Sequence, residues 1–183
     1  MEVQFTEFKD LIICNPNVYE DDRGYFYESF NLQKFSKATG VSPIFVQDNQ
    51  SRSAFGVLRG LHFQVGDMAQ SKLVRVLEGE VLDVVVDMRK EEPTYGKSFS
   101  IMLTAANRRE LYIPRGFAHG FLTLSSAATF FYKCDNYYDK ASERGLAYND
   151  PALDINWQLE EQDFILSEKD KENLNFEALI KTL

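Results

Sequence analysis

"SKLVRVLEGEVLDVVVDM", residues 71–88, decides how this chain is to be read. Two runs rich in Val and Leu flank Glu78 and Gly79. β-Branched residues at this density favour strands over helix. The stretch reads as a hairpin that turns at Glu78-Gly79. Working outward, short runs of the same kind recur between turn residues. They are "LII" (11–13), "YFYESF" (25–30), "PIFVQ" (43–47) and "VLRGLHFQ" (57–64), then "SFSIMLT" (98–104), "ELYIP" (110–114), "GFLTL" (120–124) and "ATFFYKCDNYY" (128–138). Two segments read as helices. "NLQKFSKATG" (31–40) opens on an Asn suited to a cap and closes on a Gly suited to a stop. "DKENLNFEALIKTL" (170–183) spaces Leu174, Leu179 and Ile180 along one apolar face. Many short strands in one domain spanning 1–183 predict a mainly β fold, a jelly-roll sandwich or barrel with a few short helices. Aromatic-rich outer strands in such a fold suit a dimer face.

Composition narrows the function. The 183 residues suffice for one full core, and 44% hydrophobic content is that of a folded domain. A net charge of −8 argues against general nucleic-acid binding and leaves room for a local basic pocket for phosphate. Residues 1–14 lack a basic region followed by an apolar stretch, and no apolar run reaches the roughly 18 residues of a membrane span. Cys14 and Cys134 are too few and too far apart for a disulfide framework or a CxxC metal site. The expected compartment is the cytoplasm.

Within "VLRGLHFQ", Arg59, His62 and Gln64 stand where a purely structural strand would turn apolar side chains to the core. A ligand pocket explains them, and so does a wet outer face. A metal site needs two or more ligands close together, and the position after the next from His62 holds Gln64, a poor transition-metal ligand. The only other histidine is His119, in "PRGFAHGF" (114–121). Metal-free acid–base chemistry is therefore the better functional reading of His62, with no cofactor expected. Arg23 in "DDRGYFYE", Arg59 and Lys72 adjoin or occupy predicted strands, where they read as solvated charges or as phosphate ligands. Tyr132, Tyr137 and Tyr138 suit core or interface positions, or one of them a proton donor facing a His. Asp170 in "LSEKD" reads equally as a helix cap or a catalytic carboxylate.

Taken together, "DDRGYFYESF", "QDNQSRS", "GVLRGLHFQ", "YIPRGFAHGF", "YKCDNYYDKASERGLAYNDP", "INW" and "LSEKD" resemble the dTDP-4-dehydrorhamnose 3,5-epimerase family of the cupin superfamily. The resemblance runs over nearly the whole chain, in family order. It implies a jelly-roll homodimer without metal that converts dTDP-4-dehydro-6-deoxy-D-glucose to dTDP-4-dehydro-L-rhamnose by inverting C3 and C5. Carried over by motif, His62 is the base, Asp170 orients and charges its ring, Tyr132 is the acid, and Lys72 faces the developing oxyanion. Arg23 and Arg59 hold the diphosphate, with Glu28, Gln47 and Asn49 fixing nucleotide and sugar and His119 bonding near them. Phe26 and Tyr138 stack on the thymine, while Glu143 and Lys169 match ligand-contacting positions. The resemblance also implies that early strands cross to the partner subunit, so that Arg23, Phe26 and Glu28 serve the neighbour's site. "INWQLEE" lacks the Pro that commonly follows the Ile-x-Trp element, a change expected to alter only a loop. The rival readings are a relative that inverts only C3 or only C5, a non-catalytic cupin that binds a nucleotide sugar, and a metal-dependent cupin oxygenase, against which Gln64 argues.

Overall fold

The computed structural model describes residues 1–183. The first strands are β1 (Glu2–Phe5), β2 (Ile12–Asn15), β3 (Val18–Asp21) and β4 (Gly24–Tyr27), followed by helix α1 (Leu32–Thr39). Next come β5 (Gln47–Ala54), β6 (Leu58–Gln64), β7 (Lys72–Glu78), β8 (Glu80–Asp87) and β9 (Ser98–Thr104). Then follow β10 (Glu110–Ile113), β11 (Phe117–Thr123), β12 (Ala127–Cys134) and β13 (Glu143–Gly145). Two short helices, α2 (Glu168–Lys171) and α3 (Phe176–Ile180), lie near the C-terminus. No helix is long and apolar enough to cross a membrane.

The strands form a six-stranded sheet in the order β1-β2-β10-β7-β12-β5 and a five-stranded sheet in the order β13-β6-β11-β8-β9. A two-stranded ribbon, β3-β4, pairs with neither. All the ladders are antiparallel. This is the expected jelly-roll sandwich, a cupin-like β structure.

The 71–88 stretch is not a hairpin. β7 pairs with β10 and β12 in one sheet, while β8 pairs with β9 and β11 in the other. The turn at Gly79 carries the chain from one sheet to its opposite, and the Gly79 carbonyl accepts from the Ala105 amide. Gly79 has φ +77°, and a Cβ there would stand 2.1 Å from the Ala127 carbonyl oxygen. The apolar run that suggested a hairpin has another cause: β8 is covered on both faces. Val81 and Val85 join Val74, Leu111 and Phe130 in the core between the sheets. Leu82, Val84 and Val86 join Leu61, Trp157 and Leu179 in a second core under the C-terminal segment.

Helix α1 forms as its ends dictate. Asn31 Oδ1 accepts from the Lys34 amide, and Gly40 closes the helix at φ +77°. Its Phe35 is buried against Ile12, Cys14, Leu73 and Tyr112. The single C-terminal helix expected over 170–183 is instead α2 and α3, separated by an extended Leu174 that bridges Leu146. Asn175 starts α3 afresh, its side chain accepting from the Ala178 amide. "PIFVQ" forms no strand; the strand of this region is β5, which begins at Gln47 and alternates half-buried and exposed polar residues along a sheet edge. Gln158, where a Pro was expected, has φ +65°, a conformation closed to proline.

Candidate active site

β6 positions the centre of the site by breaking its own alternation. His62 is the register partner of His119, and Arg59 that of Phe121, so β6 spends one more residue than β11 between the two pairings. The extra residue is a bulge at Gly60-Leu61. Gly60 has φ +108°, and a Cβ on it would lie 2.6 Å from the His119 carbonyl oxygen and 2.7 Å from Gly120 Cα. Arg59 and His62, which regular alternation would send to opposite faces, therefore both line one cavity of ≈ 670 Å³ between the sheets. That volume suits a ligand of nucleotide-sugar size. Gln64 also reaches this wall, yet its amide is spent on the Met68 and Tyr137 carbonyls and the Asp139 amide, so it braces the 135–139 loop.

His62 Nε2 stands 2.6 Å from Asp170 Oδ1. The ring N–H lies off the line to that oxygen, so the contact is an ion-pair approach rather than a linear hydrogen bond, and it strengthens when the ring is protonated. Burial would raise the Asp170 carboxyl, but the close contact and charge of His62 outweigh it and hold it below the ordinary carboxylate range. Asp170 is not the cap of α2. Ser167 is, accepting from the Asp170 amide and so fixing the aspartate one helical turn in.

Opposite β6, β7 and β12 bring Lys72 and Tyr132 to the same cavity. Lys72 has no carboxylate within ion-pair distance. Burial lowers its ammonium pKa, against the more distant pull of Cys134, Asp83 and Glu143. Its Nζ lies 5.9 Å from the Tyr132 ring centroid. Burial pushes the Tyr132 hydroxyl up to about 12, with Cys134 adding and Arg59 opposing. Tyr132 is thus a protonated phenol at neutral pH, while burial works against the charge on Lys72.

Other expected residues gather around these. Arg59 Nε donates to Ser53 Oγ at 3.0 Å. Glu143 accepts from the Tyr138 hydroxyl at 2.9 Å and from Lys169 Nζ, and Asn49, like these three, lines the cavity. Gln47 stands just behind, accepting from the Tyr138 amide at 3.0 Å and donating to Asn49 Oδ1 at 3.1 Å. His119 lines the cavity with Nε2 2.9 Å from Asp83 Oδ2. Asp83 was missed from sequence, although an acidic residue inside the apolar run "VLDVVVD" was a visible signal. Arg23, Phe26 and Glu28 are not brought into this cavity. Arg23 pairs with Asp21 on the exposed ribbon, Phe26 is 70% exposed, and Glu28 pairs with Lys34 at 2.7 Å.

The family model described as dTDP-4-dehydrorhamnose 3,5-epimerase matches residues 5–178. A dTDP-4-dehydrorhamnose 3,5-epimerase of Shigella flexneri is 51% identical over 93% of both chains. The crystal structure of such an enzyme from Elizabethkingia anophelis superposes with a TM-score of 0.94 at 52% identity, covering 97% of each chain. A dTDP-6-deoxy-D-glucose-3,5-epimerase of Legionella pneumophila, solved with dTDP-4-keto-L-rhamnose, superposes with a TM-score of 0.89 at 48% identity, covering 94% of this chain and 90% of that one.

Proposed function

Because the chain belongs to the dTDP-4-dehydrorhamnose 3,5-epimerase family, we propose that its cavity inverts C3 and C5 of dTDP-4-dehydro-6-deoxy-D-glucose. The observation that carries this reading is that the base and the acid come from opposite sheets. His62 stands on β6 of one sheet and Tyr132 on β12 of the other, and both face one cavity. A sugar held between them offers one face to each.

Both carbons are α to the C4 ketone. His62 takes the proton, the C–H electron pair moves into the C4–O group, and an enolate forms. Lys72, the cation with no protein partner, faces the developing oxyanion. Tyr132 gives its proton to the same carbon from the other side, which inverts the centre; solvent then takes the imidazolium proton and returns one to the phenolate. Asp170 stabilises the imidazolium formed in the first step. No metal and no cofactor enter this scheme. Arg59 meets the diphosphate, and Asn49, Gln47, His119, Glu143 and Lys169 contact the rest of the ligand, with Tyr138 stacking on the thymine.

The active form is a homodimer in this reading. The ribbon β3-β4 carries Tyr19, Tyr25 and Phe26 exposed and keeps Arg23 out of the lining of its own cavity. Exposed aromatic rings of this kind fit a second copy, which would receive Arg23, Phe26 and Glu28 at its site. The two buried free cysteines accord with a reducing cytoplasm.

The test is isotope exchange. Chelator-treated protein is incubated with dTDP-4-dehydro-6-deoxy-D-glucose in deuterated water, and C3 and C5 are followed by proton NMR. Deuterium at both carbons supports the double inversion. Deuterium at one makes the protein a single-centre epimerase, and none at either, with dTDP bound, makes it a binding protein.

A further inference from the structure

Asp83 is the acidic exception inside the central strand β8. Its position alternates with Val81 and Val85, which point into the core between the sheets, and it is 0% exposed. A carboxylate so placed is costly unless paired. One oxygen, Oδ2, is paired with His119 Nε2 at 2.9 Å, and the other, Oδ1, has no hydrogen-bond partner. His119 is itself buried and stacked at 6.0 Å on Phe130. Its Nδ1 has no protein partner, yet the residue lines the cavity, so Nδ1 is the ring atom left for a ligand. A neutral imidazole carries one N–H, and a carboxylate accepts but cannot donate. The proton therefore sits on Nε2, toward Asp83, and Nδ1 is left with a lone pair.

We propose that Asp83 is a positioning residue for the epimerisation: it fixes the ring plane and tautomer of His119, so that Nδ1 meets a donor group of the nucleotide sugar. The donor chemistry is a hydroxyl, since phosphate oxygens without protons offer a bare nitrogen nothing to accept. In the neutral tautomer that Asp83 selects, His119 thus meets the sugar rather than the diphosphate. It touches no substrate itself. This rests on the epimerase reading for its kinetic readout but not for its spectroscopic one.

The first experiment needs no variant. Nitrogen-15 NMR of the intact protein at about pH 9, where an ordinary imidazole is neutral, reports which His119 nitrogen carries the proton. A protonated Nε2 with a bare Nδ1 supports the proposal, and a bare Nε2 or protons on both nitrogens overturns it. The second experiment uses Asp83→Asn, whose amide can donate to Nε2 and invite the proton onto Nδ1. The expected result is that kcat falls by about tenfold or more while dTDP itself binds within a few-fold. The His119→Asn and double variants should then be no slower than one another, because both changes disable one device. Independent, multiplying losses would overturn the proposal. If the unaltered protein exchanges no deuterium at C3 or C5, the epimerase reading fails, while the tautomer measurement still decides the role of Asp83 toward His119.

Discussion

His62 and His119 face each other across the β6–β11 ladder, and each is backed by an aspartate from a different element. Asp170 comes from the C-terminal segment and Asp83 from the neighbouring strand β8. The two pairs differ in what they leave free. His62 is the more exposed ring and opens to the cavity, whereas His119 is locked in the wall. His62→Asn should therefore abolish exchange at both carbons while dTDP affinity stays within a few-fold, measured by NMR and calorimetry. Asp170→Asn should slow exchange by about a hundredfold or more without abolishing binding. Near-normal exchange in His62→Asn would remove the base assignment.

Lys72 and Tyr132 are driven apart by the same burial. It lowers the lysine and raises the phenol to about 12. The cation thus deprotonates first as pH rises, at a pH below the ordinary lysine value of about 10.4. The alkaline limb of the kcat/KM profile should belong to Lys72, rate falling as the ammonium is lost. Tyr132→Phe should lower the whole profile and leave that limb in place. Lys72→Met should erase it.

Gly60 is the residue on which the bulge depends. Ala at φ +108°, with its Cβ against the β11 backbone, should cost about 1–3 kcal/mol in conformation alone, before the clash is relieved. Thermal melts of Gly60→Ala should show the loss. Activity should fall further than stability predicts, because Arg59 and His62 lose their common direction.

Arg23→Ala and His62→Asn should complement each other if the ribbon serves a neighbour. Each variant alone is inactive at every site, whereas a mixed dimer contains one site with both residues intact. Co-expression should restore about a quarter of normal activity, since half the dimers are mixed and each has one good site. Absence of any restoration would place Arg23 in its own chain's site or outside the chemistry.

Glu110 lies buried 3.4 Å from Arg75 Nη1, and burial pushes its carboxyl up to about 7 despite that guanidinium. Its folded value exceeds its unfolded one, so the folded state holds a proton that the unfolded state has released. Stability from this group is present below about pH 4 and is lost as pH rises through about 7. Glu110→Gln should flatten that slope, narrowing the stability difference between pH 5 and pH 8 by on the order of 2 kcal/mol in urea titrations.

The strands were legible where burial leaves an apolar run, as in "SFSIMLT", which is β9 to the residue. They were not legible where an edge strand is polar, as in β5, or where three residues suffice, as in β13. The hairpin error over 71–88 has a different root. A Gly turn between two apolar strands encodes the reversal but not whether the second strand returns to its own sheet. At the site, motif order brought out the cavity residues from Asn49 to Asp170, including a carboxylate that local signals could not separate from a cap. Asp83 escaped because the 71–88 stretch that contains it was read for its apolar pattern, and only its charge in that run marked it. Arg23, Phe26 and Glu28 lie on or just beyond the exposed ribbon β3-β4, outside the lining of this cavity.

The bulge at Gly60 bears on how relatives of this chain are compared. A strand acts as a two-beat metre, and one inserted beat reverses the facing of everything beyond it. Arg59 and His62 share the cavity only because the metre slips between them. An aligned sequence that preserved both residues at this spacing but could not bulge at Gly60 would send them to opposite faces and lose the pocket wall. In this strand the interval is inherited information as surely as the residues are.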